Sequence, residues 1–466
     1  MNFYDDIDKY SDNVAIISEN GKEFTYQQLL QKADRIGEAL QKRDLVFAIC
    51  QNNFESVAGY IGALRKKAVI CLLQNGIDRE LLENLVNQYK PNFIFHPNAS
   101  KPFSLESDVV FSDSTYSLVK TRFECHHEID PSLALLLTTS GSTGSQKFVR
   151  QSYENISSNA ESIAQYLNIS SDDRPIATMP MSYTFMLSII NSHFLRGSSV
   201  IMTEATLMEK KFWTQIKQYQ ATTFSGVPYI YEMLKKLRFE QMDLPHLRIL
   251  TQAGGKLNKE IIAEFNQICK SKNMKFIVMY GQTEATARMS YLPWEFAEQK
   301  LGSMGIAIPG GQFWLEDMDH NKIEENHISG ELIYRGKNVT LGYAQCIADL
   351  AKGDENGGIL YTGDMAMRDE DGYYYITGRL KRFLKMYGKR VNLDEVEQLL
   401  KTKGYDCACA GIDDNLVIYF TDIVDKTKVL KYISTKTGIN IAGFKVKVLD
   451  AIPRNSSGKV QYSELK

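Results

Sequence analysis

A run of hydroxyl side chains and glycines from Thr138 to Lys147 is well suited to hold phosphate. It reads TTSGSTGSQK and follows an apolar run at 133–137. Glycines let the backbone approach a ligand, and hydroxyls and backbone N–H groups donate to phosphate oxygens. A mononucleotide P-loop needs lysine directly after its second glycine, whereas Lys147 stands three residues after Gly144. The run is therefore either another kind of phosphate loop or an ordinary polar turn.

The elements around this loop alternate between strands and helices. In the first hundred residues the predicted elements are strands at 47–50, 68–73 and 92–95 and helices at 57–64 and 79–89. Beyond the loop, a helix from Ser152 and a strand before Met179 continue the alternation. Such alternation predicts βαβ units and a parallel sheet covered on both faces.

The pattern changes after Gly302, where the segments GELIYRG and GYYYITG predict short antiparallel strands and a barrel-like section. From Lys381 the chain has a helix and strands of its own. We therefore predict an α/β protein with a large N-terminal domain, residues 1–380, of βαβ parallel sheets and a small distorted β-barrel. A small α+β C-terminal domain, residues 381–466, follows it.

Composition excludes some classes of function. The chain has 466 residues, a formal net charge of −2 and 24% charged residues, which gives no general reason to expect nucleic acid as a partner. From Lys381 onward the chain has 16 lysines and arginines but only 10 aspartates and glutamates. This excess of positive charge either suits an anionic ligand or is solvated surface charge. Seven scattered cysteines indicate a reducing compartment. No apolar run is long enough for a membrane span, so we predict a cytoplasmic protein.

Further motifs follow the loop in order along nearly the whole chain. They are Ala253-Gly254-Gly255, Tyr280-Gly281-Gln282-Thr283-Glu284, Gly330-Glu331-Leu332 with Gly336, Val339, Gly342 and Tyr343, Thr362-Gly363-Asp364, Gly378-Arg379-Leu380-Lys381 with Lys385, Gly388 and Val391, and Pro453-Arg454 with Gly458-Lys459. Together with the loop they resemble the adenylate-forming superfamily of acyl- and aryl-CoA synthetases, peptide-synthetase adenylation domains and firefly luciferase. The loop departs from the family signature at Gln146, where the family has proline. This departure is mild because backbone and hydroxyl groups make the phosphate contacts.

The resemblance implies two half-reactions. A carboxylate attacks the α-phosphorus of ATP and expels pyrophosphate, and a thiol then attacks the acyl-adenylate and expels AMP. The implied cofactors are ATP, Mg²⁺ and either coenzyme A or the phosphopantetheine of a carrier protein. Two anions meet in the first step, so charge neutralisation and positioning carry most of the catalysis.

The nucleotide site is implied by the same resemblance. Ala253-Gly254-Gly255 and Tyr280 would lie along the adenine, Asp364 would accept both ribose hydroxyls, and Arg379 would donate beside the same sugar or its phosphate. The full set of implied nucleotide contacts is Thr138, Thr139, Ser140, Gly141, Ser142, Thr143, Gly144, Lys147, Ala253, Gly254, Gly255, Tyr280, Gly281, Gln282, Asp364 and Arg379.

The catalytic groups are implied in the same way. Thr283 would donate to the α-phosphate and Glu284 would bind Mg²⁺, a hard cation that prefers oxygen ligands. Lys459 would contact the attacking carboxylate and the phosphate from a mobile C-terminal domain. Lys381 would be the hinge of that domain, and Gly388 would face a tunnel for the thiol.

The acid pocket is expected after Pro180. The stretch 180–188 has no aspartate to pair with an α-ammonium group, and burying that cation unpaired is costly, so we predict that the substrate is not an α-amino acid. An aryl or acyl acid fits, and its identity stays open. The pocket candidates, each with an ordinary core residue as its alternative, are Tyr183, Phe185, Met186, Ser225, Gly226 and Val227.

Two questions about function stay open at this point. The acceptor is either coenzyme A or a discrete acyl carrier protein, because the chain stops at Lys466 with no carrier domain attached. A different class, a nucleotide-binding protein that has lost catalysis, is opposed by the presence of Lys459, Asp364 and Glu284. The lack of GK[ST] opposes a kinase or ATPase, and the motifs alone leave a luciferase-type oxidation open.

Overall fold

The computed structural model describes residues 2–100, 108–123, 128–138, 147–387, 389–454 and 460–465. They form two compact units. The larger unit consists of Met1–Gln312 and Arg335–Leu360, and the smaller one of Phe313–Tyr334 and Tyr361–Lys466.

Most of the described α-helices begin at a short polar side chain that caps them. Thr25 and Gln28 form a capping box, and Ser152 caps the helix that follows the loop hairpin. In the described parts of the chain, none of the helices is both long and apolar enough to cross a membrane. The α-helices are α1 (Tyr26–Gly37), α2 (Phe54–Arg65), α3 (Arg79–Tyr89), α4 (Tyr153–Tyr166), α5 (Thr184–Phe194), α6 (Lys210–Gln218), α7 (Pro228–Lys236), α8 (Lys259–Ser271), α9 (Leu393–Lys401) and α10 (Lys426–Thr437).

The strands confirm the predicted alternation in the larger unit. They are β1 (Val14–Ile17), β2 (Glu23–Thr25), β3 (Leu45–Cys50), β4 (Val69–Gln74), β5 (Phe93–Pro97), β6 (Asp108–Ser112), β7 (Tyr116–Lys120), β8 (Leu133–Thr138), β9 (Phe148–Ser152), β10 (Val200–Ile201), β11 (Thr223–Gly226), β12 (Ile249–Gln252), β13 (Lys275–Tyr280), β14 (Ser290–Tyr291), β15 (Ile306–Ala307), β16 (Gln312–Glu316), β17 (Lys322–Ile323), β18 (Gly330–Arg335), β19 (Tyr343–Ala344), β20 (Ile359–Arg368), β21 (Tyr374–Arg379), β22 (Phe383–Met386), β23 (Lys389–Asn392), β24 (Cys407–Ile412), β25 (Asn415–Phe420) and β26 (Phe444–Val448). The strand predicted before Met179 is wrong. Pro175 and Ile176 form only isolated bridges, and proline has no N–H to extend a ladder.

Two sheets of the larger unit carry the segments of interest. One has the order β19-β9-β8-β4-β3-β5-β7-β6, with parallel pairing from β8 through β5 and antiparallel strands at both margins. The other has the order β11-β12-β13-β14-β15, and its first three strands are parallel. Carboxyl ends of parallel strands meet at one edge of a sheet, which is where α/β proteins bind ligands. The ends of β11, β12 and β13 are Gly226, Gln252 and Tyr280.

The smaller unit contains the antiparallel section that was predicted after Gly302. Its five-stranded sheet has the order β17-β16-β18-β20-β21. The residues after Lys381 add the hairpin β22-β23, the sheet β24-β25-β26 and helices α9 and α10 around an apolar cluster that includes Leu384, Leu400 and Phe444. The mixed α/β fold class is confirmed, and the domain boundary at Lys381 stays a prediction.

A fully buried arginine joins the hairpin β8–β9 to a segment far along the chain. Arg150 lies on β9 and has an exposed fraction of 0%. Its guanidinium donates to the carbonyl oxygens of Tyr343 (3.1 Å), Leu341 (2.7 Å) and Lys352, and to the carboxylate of Glu355 at 2.5 Å. All three guanidinium nitrogens have acceptors, so the cost of burying the charge is met by hydrogen bonds. Arg150 therefore fixes residues 341–355 beside β9.

Replacing Arg150 tests this anchor. Arg150→Lys keeps the charge but has no planar fork, so buried carbonyl groups lose their donors. We expect the free energy of unfolding of the larger unit to fall by about 2–4 kcal/mol, measured by urea unfolding. Arg79→Lys, on the exposed face of α3 with a side chain 74% exposed, is the matched control and should change stability by less than about 0.5 kcal/mol. Equal stability of both variants would contradict the anchoring role.

Candidate nucleotide and acid site

The predicted phosphate loop connects two antiparallel strands. Thr138, the last residue of β8, pairs with Phe148, the first residue of β9. The loop thus leaves the sheet at the carboxyl end of β8, on the same edge as the ends of β4 and β3. The predicted loop residues Thr139, Ser140, Gly141, Ser142, Thr143 and Gly144 lie outside the described residues. Their contacts with phosphate stay a prediction.

Three polar side chains meet beside the base of this loop. The Nζ atom of Lys147 lies 4.0 Å from the ring centre of Tyr343, a cation–π distance. The hydroxyl of Tyr343 donates to Oε1 of Glu284 at 2.6 Å, a short charge-assisted bond. Two predicted site residues, Lys147 and Glu284, are therefore brought together through Tyr343.

The backbone explains why Glu284 is held there. Glu284 lies in a short 3-10 turn, Thr283–Ala285, directly after β13. The side-chain amide of Gln151 on β9 donates to the carbonyl of Thr283 at 3.2 Å, and the N–H of Thr340 donates to the carbonyl of Glu284 at 3.0 Å. The turn is thus tied both to the loop hairpin and to the segment that Arg150 anchors.

The electrostatics of the cluster keep Tyr343 as a hydrogen-bond donor. Burial, and then the neighbouring Glu284 carboxylate, raise the pKa of Tyr343. The phenol stays protonated at neutral pH and donates to one oxygen of Glu284, and the carboxylate has a second oxygen that can bind a ligand. Mg²⁺ commonly takes one or two protein carboxylates together with water and substrate phosphates, so a single oriented carboxylate fits its chemistry. In the described part of the chain, no group of three or more His, Cys, Asp or Glu side chains is placed to hold a metal ion.

The turn after β13 needs glycine at its first position. A Cβ atom at Gly281 would lie 1.6 Å from the carbonyl oxygen of Ala287 and 2.8 Å from Cα of Arg288. The chain leaves Tyr280 and folds back against Gly281, so that Tyr280 pairs with Ser290 across β13 and β14. The amide of Gln282 donates to the Tyr280 hydroxyl at 3.1 Å. This close approach is the physical reason for glycine in the YGQTE motif.

The predicted adenine segment lies against predicted acid-pocket residues. Gly254 has φ +82°, and a Cβ there would be 3.0 Å from both the Tyr183 hydroxyl and Cγ1 of Val227. The N–H of Ala253 donates to the carbonyl of Gly226 at 3.2 Å. Burial raises the pKa of Tyr183 to about 12, so its hydroxyl is neutral. The structure therefore brings these five positions together at the carboxyl ends of β11 and β12.

Other pocket candidates have different surroundings. Phe185 and Met186 are buried in the first turn of α5. The hydroxyl of Ser225 is hydrogen-bonded to that of Thr251 at 2.7 Å, across β11 and β12. Gly255, which was predicted for the adenine segment, lies beside Pro228, and a Cβ there would be 3.1 Å from Cγ of the proline. A pocket role for all six candidates stays a prediction.

Two predicted nucleotide contacts are neighbours in the smaller unit. Asp364 on β20 pairs in register with Arg379 on β21, and Nε of Arg379 lies 3.3 Å from Oδ1 of Asp364. The Asp364 side chain is 7% exposed, whereas that of Arg379 is 62% exposed. The arginine therefore neutralises a buried carboxylate and keeps its own guanidinium accessible to an anion.

Two of the three site residues predicted near the C-terminus lie outside the described residues. Lys381 lies in a short 3-10 turn, Leu380–Arg382. Gly388 and Lys459 lie outside the described residues. Arg454 and Val460, which flank the segment that contains Lys459, pair antiparallel.

The C-terminal segment is fixed after that pair. The Tyr462 ring lies 3.5 Å from the buried Arg382 guanidinium, and its hydroxyl donates to Glu397 at 3.1 Å. Arg382 also pairs with Glu397 at 2.5 Å. The chain next to Lys381 and the chain after Lys459 are thus joined through one buried ion pair.

Two residues that shape this site were not predicted from the sequence, Tyr343 and Arg150. Tyr343 is part of the GEL block, but its contact with Glu284 spans 59 residues of sequence and has no local signal. Arg150 lies in a strand, FVRQS, that is buried throughout. A charged residue inside such a strand indicates a buried and paired side chain, and this was the one sequence signal for its role.

Comparison with known proteins agrees with this architecture. Residues 3–344 match the family model described as "AMP-binding enzyme". The chain is 25% identical to the 2-succinylbenzoate–CoA ligase of Geobacillus sp. (strain WCH70) over 475 residues, which covers 98% of this chain and 94% of the relative. It is 28% identical to the oxalate–CoA ligase of Arabidopsis thaliana over 346 residues, which covers 70% of this chain and 66% of the relative.

Solved structures share the fold. The o-succinylbenzoate CoA synthetase of Bacillus subtilis, solved with an acyl-adenylate intermediate, superimposes with a TM-score of 0.81 at 21% identity and covers 100% of this chain and 98% of that one. The same synthetase has been solved with ATP and magnesium ion. These findings confirm the predicted fold class and the resemblance to adenylate-forming ligases. Because the family model matches well over half of its length, the chain belongs to the AMP-binding enzymes.

Proposed function

We propose that this protein activates a carboxylic acid with ATP, releases pyrophosphate and transfers the acyl group to coenzyme A. The observation that supports it best is the cluster at the base of the phosphate loop. Tyr343 there orients the carboxylate of Glu284 beside Lys147. An oriented carboxylate and a lysine next to a hydroxyl-rich loop suit a magnesium-bound triphosphate.

The residues predicted to contact phosphate and metal act in the first half-reaction. Thr138, Lys147 and the loop between them hold the phosphates, and Thr283 donates to the α-phosphate. Glu284 would hold Mg²⁺, which when bound would supply positive charge to neutralise the phosphates. The acid's oxygen bonds to the α-phosphorus as the bond to pyrophosphate breaks.

The remaining nucleotide contacts follow the family pattern. We assign Ala253, Gly254, Gly255 and Tyr280 to the adenine. Asp364 binds the ribose hydroxyls, and the exposed guanidinium of Arg379 donates beside the sugar or its phosphate.

The acid pocket is assigned to Tyr183, Phe185, Gly226 and Val227. Tyr183 and Val227 both pack against Gly254, since a Cβ there would lie 3.0 Å from each of them. An acid bound between these side chains would therefore be next to the adenine segment. In the second half-reaction the thiol attacks the acyl carbon and AMP leaves. Lys381 is the proposed hinge between the half-reactions and Gly388 the proposed wall of the thiol tunnel.

The relatives favour coenzyme A as the acceptor, because those named above are acid–CoA ligases and an acid–CoA synthetase. A discrete carrier protein is the second candidate acceptor, favoured by the ending Lys459-Val460-Gln461-Tyr462. Each described cysteine is a free thiol, which fits the proposed cytoplasmic location.

The direct test is product analysis with a panel of acids. The protein is incubated with ATP, Mg²⁺ and aryl, short-chain and long-chain carboxylic acids, with and without coenzyme A, and products are read by mass spectrometry. We expect an acyl-adenylate that becomes an acyl-CoA when the thiol is added. Adenylate that ignores coenzyme A would indicate a carrier protein as acceptor. No adenylate with any acid would contradict ligase activity and support a binding protein that has lost catalysis.

Lys459 provides a second test that separates the half-reactions. Removing a positioned donor to the transition state typically slows a reaction about 10²–10³-fold. We expect Lys459→Ala to slow adenylate formation by this factor and to leave thioester formation from preformed adenylate nearly unchanged. Both rates are measured by rapid quench, and equal slowing of the two would refute the role.

Tyr343→Phe tests the orientation of Glu284. The variant loses the hydrogen bond to the carboxylate but keeps the aromatic ring beside Lys147, so the fold should be preserved. A hydrogen bond to a charged group contributes about 1.5–3 kcal/mol, so we expect the Mg²⁺ concentration for half-maximal adenylation to rise about tenfold or more. Tyr361→Phe, at an exposed tyrosine of β20, serves as the control. An unchanged Mg²⁺ dependence in Tyr343→Phe would show that Glu284 does not need this bond.

A further inference from the structure

Two arginines of the larger unit are almost completely removed from solvent, and they differ in their partners. Arg150 is 0% exposed and all three of its guanidinium nitrogens donate hydrogen bonds. Arg288 is 2% exposed, and the hydrogen bonds that the structure describes for its guanidinium come from Nη1. A fully buried arginine with unused donors is unusual, because the cost of desolvation is then not offset.

The partners of Arg288 are neutral and few. Nη1 donates to the hydroxyl of Tyr166 at 3.1 Å and approaches the sulfur of Met279 at 3.4 Å. Nε is buried and has no acceptor in the described part of the chain. No carboxylate within the described ranges lies within 4 Å of this guanidinium, although Arg150 has Glu355.

The surrounding ionisable groups do not supply the missing negative charge. Burial, the largest cause, raises the pKa of Tyr166, so its phenol is neutral at physiological pH. Burial lowers the pKa of His193 to about 4, so this ring is also neutral there. Asn159 donates through its amide to the backbone carbonyl of Arg288 at 2.9 Å, and its own buried Oδ1 has no donor in the described residues. Among the described residues, the guanidinium of Arg288 therefore has no negatively charged partner.

Arg288 was not among the predicted pocket residues, but it lies next to one of them. Its guanidinium carbon lies 5.0 Å from the ring centre of Phe185, one of the assigned pocket residues. Its Cα packs against Gly281, in the same connection between β13 and β14 that carries Glu284. One short segment therefore carries a carboxylate suited to Mg²⁺ and, four residues later, an arginine that has no carboxylate partner among the described residues and lies beside the ring of Phe185.

We propose that Arg288 binds a second carboxylate of the substrate, so that the acid activated by this enzyme is a dicarboxylic acid. This inference rests on the proposed ligase function. One carboxylate reacts with ATP, and the other accepts hydrogen bonds from the planar fork of Arg288, which matches a carboxylate in a bidentate manner. Phe185 contacts the carbon skeleton between them.

The test compares each diacid with the monoamide of the same length, which removes one charge and keeps the shape. Linear dicarboxylates of two to six carbons and the three benzenedicarboxylates are supplied with ATP, Mg²⁺ and coenzyme A, and AMP release gives kcat/KM. A buried charged site strongly rejects an analogue that leaves its charge unpaired. We therefore expect kcat/KM for one diacid to exceed that for its monoamide by at least about 10²-fold. A monoamide used as well as its diacid throughout the panel would overturn the inference and leave the ligase function intact.

Arg288→Met removes the charge at similar volume. We expect kcat/KM for the preferred diacid to fall at least about 10²-fold, while kcat/KM for its monoamide stays equal or rises. Arg79→Met makes the same chemical change on an exposed helix face and should alter neither value. Equal loss for diacid and monoamide in Arg288→Met would identify a structural arginine and overturn the inference. Arg288→Lys keeps the charge but loses the planar fork, so we expect a reduced diacid preference that is still larger than in Arg288→Met. This variant serves if the methionine variant does not fold, and a diacid preference equal to that of the wild type would then overturn the inference.

A binding measurement separates failure of this inference from failure of the ligase function. The thermal transition of the wild-type protein is recorded with the same diacids and monoamides in the presence of a non-hydrolysable ATP analogue. We expect one diacid to raise the transition temperature and its monoamide not to, and the rise to vanish in Arg288→Met. If no acid is turned over but this rise occurs, ligase activity fails and the Arg288 site stands. If acids are turned over but no diacid gives a larger rise than its monoamide, the Arg288 site fails.

Discussion

The placement of the candidate site in the larger unit depends on the burial of Arg150. A strand residue with no solvent exposure carries a full positive charge, and this is tolerated because four acceptors surround it. Those acceptors come from residues 341–355, about 190–205 positions further along the chain. The desolvated charge thus selects one arrangement of two distant segments. Tyr343 lies in the selected segment, so its hydroxyl reaches Glu284 without any local sequence reason to do so.

A second constraint acts at the turn after β13. The backbone returns so closely that Gly281 meets the carbonyl of Ala287, and Ala287 itself has φ +99°. A positive φ at a residue with a Cβ is strained and persists only where surrounding contacts fix it. Here Thr286 bonds through its hydroxyl to the carbonyl of Asn338 at 2.7 Å, and Asn338 donates back to the carbonyl of Ala285 at 2.8 Å. The strain is therefore held by the segment that leads into the one anchored by Arg150.

Local sequence patterns were enough to predict most helices and strands, but the contacts within the candidate site depend on residues far apart in the sequence. Helix α3 runs from residue 79 to 89 as its periodicity predicted, because burial of Leu82, Leu85, Val86 and Tyr89 leaves a clear stripe in the sequence. The motif residues could be named because glycine turns and hydroxyl loops have local signatures. The partners of Arg150 and of Arg288 could not be named, since hydrogen bonds that span more than a hundred residues leave no local pattern. The strand expected before Met179 is reduced to isolated bridges, because Pro175 has no N–H with which to extend a ladder.

The two buried arginines also show how similar desolvation can serve different ends. For Arg150 the hydrogen bonds form on folding, so its charge adds specificity to the native structure. For Arg288 the acceptors of Nε are not supplied by the described chain, so part of the cost of desolvation persists in the folded protein. A ligand that brings a carboxylate recovers that free energy, and a ligand that lacks one does not. Selectivity between acids of the same shape is then set by a penalty already present in the free enzyme, and a neutral pocket wall such as Phe185 could not provide it.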